Sequence, residues 1–325
     1  MERKVYISFI FITTFMISSC KNVAEAKSST ISFIKEELHN GDAKYYNEQV
    51  ITSVNGQLTL VDTESNHIET LPVQANWIDS YENENLIVYG NSNKEIGLCE
   101  LDDNNGLIRN KVIFSSTYLM IDPSVTKYQD TYYMTVTSIG GEVNNGDPAK
   151  ENGQYAVDLY ATKDPFGVWS RIARILSESG NIEDGELYVE GDKMFFLFEK
   201  EVLDCGVSTL DMIRSTDGGL SWPIRKTIID NQSDNEPAAI VETSTGWDLY
   251  YSSDMKNEGE SYAGATAYVS TLDEEFNLIA TNELRTVTEK GILLYDVKQT
   301  PDSLKILYAR DYKTTADLIE EVLPF

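Results

Sequence analysis

From Asn181 to Trp222 the chain carries one uninterrupted structural sentence. Ile182 to Val189 is a strand start with acids at Glu183, Asp184 and Glu186, Glu190-Gly191-Asp192-Lys193 is a turn, and Met194 to Glu199 is an apolar, aromatic strand. Two such runs around a glycine-containing turn make a β-hairpin. A third strand, Thr209 to Arg214, enters Ser215-Thr216-Asp217-Gly218-Gly219-Leu220-Ser221-Trp222. There Asp217 can accept backbone N–H bonds, the glycines can take positive φ, and Trp222 can cover the turn.

Weaker copies lie on both sides. Ile121-Asp122-Pro123 precedes Tyr132-Tyr133-Met134, and Asn235-Glu236-Pro237 precedes Trp247 to Tyr251. Trp77-Ile78-Asp79 precedes Leu86 to Tyr89, and Leu294-Tyr295-Asp296 precedes Leu304 to Tyr308. The acidic starts at 79, 122, 183, 236 and 296 are 43, 61, 53 and 60 residues apart. Antiparallel repeats of about 40 to 50 residues indicate an all-β propeller. The count reads as five blades, with longer loops inflating some intervals. A six-bladed ring, using the N-terminal hairpin and C-terminal tail, is the alternative.

The remaining segments are arranged around that ring. Gln49 to Val61 holds an Asn-Gly turn between apolar runs and is read as an outer hairpin closing the last blade. Polar insertions at 141 to 148 and 257 to 264 are long enough to shape a cleft. Glu199 and Glu201 are expected at solvent. No long stretch has helical periodicity.

Arg3 and Lys4 precede an apolar run from Val5 to Ile17, then Ser18-Ser19-Cys20. The pattern has the shape of an export signal, and it resembles a bacterial lipoprotein signal with Cys20 as the lipidated residue. The domains follow as 1–19 signal peptide, 20–40 lipid-anchored linker and 41–325 propeller. The resemblance implies the bacterial cell envelope, outside the cytoplasm, with membrane contact through the anchor alone. The remaining cysteines, Cys99 and Cys205, fall in different blades and read as buried thiols.

With 53 acidic against 26 basic side chains, the formal charge of -27 excludes nucleic acid as a partner and opposes anionic lipid surfaces. Two histidines, His39 and His67, are too few for a histidine metal site or a Ser-His-Asp enzyme. No cofactor or metal is implied; carboxylate oxygens are plentiful enough for calcium in the central channel, but no calcium-loop spacing supports it.

In a propeller the leading ends of the innermost strands meet on one face, which gathers Asp79, Asp122, Glu183, Glu186 and Glu236. Opposed carboxylates suit glycoside hydrolysis, in which one donates a proton and another activates water or attacks carbon. Crowding raises the pKa of at least one. Trp77 and Trp247 are candidates for stacking on a sugar, and Arg310 for binding at the same face. The same acids can also cap turns, and the same aromatics can be core.

The Asp122-Pro123 and Glu236-Pro237 contexts, each leading to a Tyr-Tyr strand, resemble the five-bladed glycoside hydrolases of the arabinanase, xylosidase and levansucrase superfamily. That resemblance implies Asp79 as base, Asp122 as pKa modulator, and Glu183, Glu186 or Glu236 as proton donor. Trp77-Ile78-Asp79-Ser80 lacks the proline found beside the first aspartate in many members. Ser215 to Trp222 matches the Asp box of sialidase-like propellers, implying a structural outer turn; a sialidase would also need an arginine triad, for which Arg214, Arg285 and Arg310 are the supply. The expected function is a surface-tethered hydrolase of extracellular neutral oligo- or polysaccharide. The alternatives are a noncatalytic glycan-binding lipoprotein and a protein-binding propeller.

Overall fold

The computed structural model describes residues 29–34, as backbone, and residues 42–63, 65, 67–81, 84–140, 154–201, 207–255, 262–312 and 317–325. Six four-stranded antiparallel sheets are arranged in a ring, so the five-bladed count is corrected to six. β1 (Ser29–Ile34) stands apart from the first blade. Blade 1 is β2 to β5 (Ala43–Tyr46, Gln49–Val54, Gln57–Asp62, Ile68–Gln74), and blade 2 is β6 to β9 (Trp77–Tyr81, Leu86–Asn91, Glu95–Leu101, Leu107–Ser115). Blade 3 is β10 to β13 (Leu119–Tyr128, Thr131–Gly140, Gln154–Thr162, Ser170–Ser179), and blade 4 is β14 to β17 (Ile182–Glu190, Lys193–Glu201, Ser208–Ser215, Ile224–Ile229). Blade 5 is β18 to β21 (Asn235–Thr243, Gly246–Ser253, Thr266–Leu272, Leu278–Glu283). Blade 6 is β22 to β24 (Ile292–Gln299, Ser303–Arg310, Asp317–Pro324) completed by β1 as its outermost strand.

The five acidic starts read from the sequence open blades 2 to 6. The missing blade begins at Asp42, where β2 is only four residues long and gives almost no periodic signal. Gln49 to Asp62 is therefore the middle hairpin of blade 1, not an outer hairpin of the last blade. Ring closure falls instead to Ser29–Ile34, within the segment read as linker, which pairs antiparallel with β24 from Ser29↔Val322 to Ile34↔Leu318.

First strands of successive blades touch around the ring, and a separate apolar cluster fills each of the six gaps between neighbouring blades. This explains the unbroken apolar run in β15. Met194, Phe196 and Phe198 face blade 3, while Phe195 and Leu197 face blade 5, because side chains alternate and both sides of an inner strand are covered. Phe196 also lies over Gly185, where a Cβ would overlap its ring.

The turns from third to fourth strand share one device. Asp62, Asp102, Asp164, Asp217 and Asp273 each accept backbone N–H bonds within the turn, the work of Asx turns. The Ser215 to Trp222 box is the fullest version: Ser221 donates to Asp217 from its backbone and its hydroxyl, Gly219 N–H donates to Ser215, and the Trp222 indole donates to Gly219 O. It sits on an outer turn, as its resemblance implied.

Insertion 141 to 148 and most of insertion 257 to 264 lie outside the described residues, as do Cys20 and Cys205. Cys99 is buried and free. No helix among the described residues is long and apolar enough to cross a membrane.

Candidate functional site

Irregularities in the innermost strands give the central channel its chemistry. Register shifts interrupt β10 between Ile121 and Ser124, β14 between Glu183 and Glu186, β18 between Pro237 and Ala239, and β22 between Leu294 and Asp296. Such β-bulges leave residues unpaired and re-aim side chains. Two of the bulged residues, Asp122 and Asp184, are held at positive φ of 44° and 52°, a sparsely populated region for residues other than glycine.

Most of these acids first serve the ring. A side chain of each blade accepts a backbone N–H of the next: Asp42 from Ile78 at 3.2 Å, Asp79 from Val125 at 2.8 Å and Asp122 from Asp184 at 3.0 Å. Glu186 accepts from Ile240 at 3.3 Å, Ser252 from Leu294 at 2.7 Å, and Asp296 from Tyr45 at 2.8 Å, which returns to blade 1. Asp42, Asp79 and Asp296 use their second oxygen to accept the N–H of the following residue. Asp122 and Glu186 have no second hydrogen bond of that kind among the described residues.

Lys44 crosses this ring. Its ammonium donates to the carbonyls of Ala238 and Tyr295, both at 3.4 Å and both bulge residues freed from the ladder. Burial pulls the Lys44 pKa down, but Asp296, Asp42, Asp79 and Glu186 outweigh it and raise the net value. Burial raises Glu186 to about 7, opposed by Lys44 and reinforced by Asp79 and Asp296. Burial likewise raises Asp296 to about 6, against Lys44 and its two N–H donors. Asp42 and Asp79 are also pushed up by burial, with Lys44 and their N–H donors opposing.

Beside this channel lies a denser group. One carboxylate oxygen each from Asp184, Glu199 and Glu236 lie within 4.8 Å of one another, and Tyr262 donates to Glu236 at 2.7 Å. Burial, then Asp184 and Glu199, holds Glu236 well above the usual carboxylate range. Burial, then Asp184, does the same to Asp122. Glu199 also belongs to a second triad with Glu201 and Asp234. Glu199 and Glu201 are 2% and 5% exposed, which corrects their expected place at solvent. They lie on β15, the second strand of its blade, near the end that adjoins the acidic starts of β14 and β18.

Of the residues singled out from sequence, Asp79, Asp122, Glu186 and Glu236 come together around the channel. Glu183 is half-buried on β14, in register with Glu199. Trp77 is half-buried and packs against the cluster between blades 3 and 4. Trp247 is 9% exposed and stacks on Phe276 with ring centroids 5.4 Å apart, edge-on to Tyr188 and Phe195. Paired in register with Glu242, it is six residues along β18 from Glu236, roughly 20 Å away. It lines a pocket of about 430 Å³ on the face opposite the acids, with Arg214 and Lys193. Arg310 is paired with Asp317 at the acid-side end of β23.

Sequence reasoning gave no site role to Asp42, Lys44, Asp184, Asp234, Tyr262 and Tyr295, and it set Glu199 at solvent. Asp184 stands directly beside a named acid, and its Asp-Gly pair was the available signal for a bulge. The others have no local signature, since only the ring's closure brings them together. Tyr262 and Tyr312 meet edge-on at 5.9 Å next to Glu236, an aromatic pair on the acidic side.

No protein-family model matches the sequence, and no curated protein is similar to it. The fold is matched by solved structures. A GH93 α-L-arabinofuranosidase of Fusarium graminearum, in complex with arabinobiose, aligns with TM-score 0.58 at 9% identity over 91% of this chain and 98% of that one. A Fusarium graminearum α-L-arabinofuranosidase with an iminosugar inhibitor gives TM-score 0.59 at the same identity and coverage. A β-1,2-mannobiose phosphorylase from Listeria innocua aligns at TM-score 0.49 and 14% identity over 91% of this chain and 90% of that one.

The protein is thus a six-bladed β-propeller whose fold resembles that of glycoside-hydrolase-type enzymes, and it carries buried carboxylate clusters. The six blades overturn the five-bladed superfamily suggested by the Asp-Pro and Glu-Pro motifs.

Proposed function

We propose that the chain is a glycoside hydrolase acting on neutral oligo- or polysaccharide at the acidic face of the propeller. The observation that carries this is the convergence of carboxylates from different blades into one channel where their environments differ. Glu186 has a pKa near 7 and one oxygen free of the clasp to Ile240, the properties of a proton donor at neutral pH. Burial pushes Asp79 up, but Lys44 and two N–H donors oppose that push and support its carboxylate form as the base. In the proposed step Glu186 gives its proton to the glycosidic oxygen as the carbon–oxygen bond breaks. Asp79 accepts a proton from the water whose oxygen bonds to the sugar carbon. Asp122 borders the same channel, and Tyr262 with Tyr312 offers a stacking surface. Among the described residues no arginine triad lines the channel, which favours a neutral over an anionic sugar.

The test is turnover of a panel of neutral di- and oligosaccharides. Glu186→Gln should lower kcat about 10²- to 10⁴-fold, with the far-ultraviolet spectrum unchanged. Activity of the unmodified protein should fall as pH rises through about 7, and that limb should vanish in the variant. Full activity in Glu186→Gln would remove the assignment. Absence of turnover with retained sugar binding would favour the noncatalytic glycan-binding reading, which the use of both Asp79 oxygens as a blade clasp supports.

The motif around Cys20 supports lipid anchoring at the outer side of a bacterial membrane as part of the same proposal. Mass measurement of the exported protein tests it: acyl chains on Cys20 support tethering, and an unmodified N-terminus elsewhere refutes it.

A further inference from the structure

Glu199, Glu201 and Asp234 bring one carboxylate oxygen each to within 4.8 Å of one another, and all three residues are 5% exposed or less. Glu199 and Glu201 are two residues apart on β15 and so share a face. Asp234 lies immediately before β18, fixed by an exchange in which its N–H donates to Asp254 Oδ1 and its carbonyl accepts the Asp254 N–H. Nearby Lys200 is engaged with Glu178 at 2.6 Å.

Three buried carboxylates this close repel unless protons or a cation intervene. Proton sharing relieves part of that repulsion, and Glu199 shares a hydrogen bond with Glu236. Glu199 Oε1 is buried and has no hydrogen-bond partner among the described residues, and a buried acceptor left unpaired is costly. That oxygen is the sign of a missing ligand.

We propose that Glu199, Glu201 and Asp234 form a divalent cation site at the junction of blades 4 and 5, and that the cation is calcium. The donors are all carboxylate oxygens, hard ligands that suit calcium and lack the sulfur or imidazole preferred by zinc. Three carboxylates supply up to six of the oxygens calcium takes, and water completes the shell. The site adjoins the group of Asp184 and Glu236 through Glu199, but none of its three carboxylates takes part in the proposed hydrolytic step, and it stands whether or not the protein hydrolyses sugars. Glu199 links it to Glu236, so bound calcium fixes the carboxylate on which Glu236 rests.

The experiment is calorimetric titration of the full exported chain with calcium chloride after dialysis against chelator, paired with thermal melts. One calcium per chain is expected, with the melting midpoint rising by about 5 °C when calcium exceeds its dissociation constant about 100-fold. Glu199→Gln and Glu201→Gln should each weaken binding at least about tenfold, whereas Asp217→Asn on the outer turn should leave it unchanged. The titration of the unmodified protein decides even where a variant folds poorly. No binding heat with identical melts in calcium and in chelator overturns the proposal, as does binding that both glutamate variants leave intact.

Discussion

Lys44 is the residue on which the channel's electrostatics turn. It is the cation that Asp42, Asp79, Glu186 and Asp296 share, and removing it strands their charges in a half-buried space. Lys44→Met is expected to cost on the order of 3 to 5 kcal/mol at pH 7.5, read by denaturant unfolding. The pH dependence has a definite sign. Burial raises the folded pKa values of Glu186 and Asp296 to about 7 and about 6 from ordinary values of 4.5 and 3.8. Between those limits the folded state binds more protons than the unfolded state, so their contribution is complete at low pH and is lost as pH rises to about 7. The melting midpoint of the unmodified protein should therefore be higher at pH 5 than at pH 7.5 on account of these groups. Glu186→Gln should flatten that dependence, and an unchanged slope would show that Glu186 does not titrate there.

At the scale of the strand, the bulge in β14 does several jobs at once. It turns Asp184 toward Glu199 and Glu236, lets the Asp184 N–H reach Asp122, and brings Gly185 under the Phe196 ring. Gly185→Val should destabilise the protein by roughly 1 to 3 kcal/mol through overpacking, measurable as a lower urea midpoint with unchanged m-value. The inner hairpins were legible in the sequence because their runs are long and their turns hold Gly, Asn or Asp. Met194 to Phe198 announced an aromatic strand, though not that both its faces are covered, and Ser215 to Trp222 announced its turn. Ala43–Tyr46 was not legible, being too short to show a period. Nor were the roles of the acids, because a strand start that reads as Asp or Glu carries no mark of whether its oxygens clasp a neighbouring blade, face a channel or crowd another carboxylate. Glu199 and Glu201 show the limit most plainly: alternating with Lys200 they look solvent-facing, and only the neighbouring blade's Asp234 reveals otherwise.

Across the whole molecule, six sheets are held by apolar clusters and by a ring of side-chain acceptors, with the two ends of the described chain meeting in one sheet. A chain lacking residues 1–34 is expected to melt at least about 5 °C below one lacking residues 1–28, since it gives up the outermost strand of blade 6. Equal midpoints would mean that β1 adds nothing to closure. The pairing of Ser29–Ile34 with Asp317–Pro324 also sets an order in time. A ribosome must deliver all of the blades before the first strand meets its partner, so the earlier blades can form while the ring is still open. Completion of the last sheet is then a late step that needs Asp317–Pro324, and any chain ending before them is left with an exposed strand edge for quality control to find.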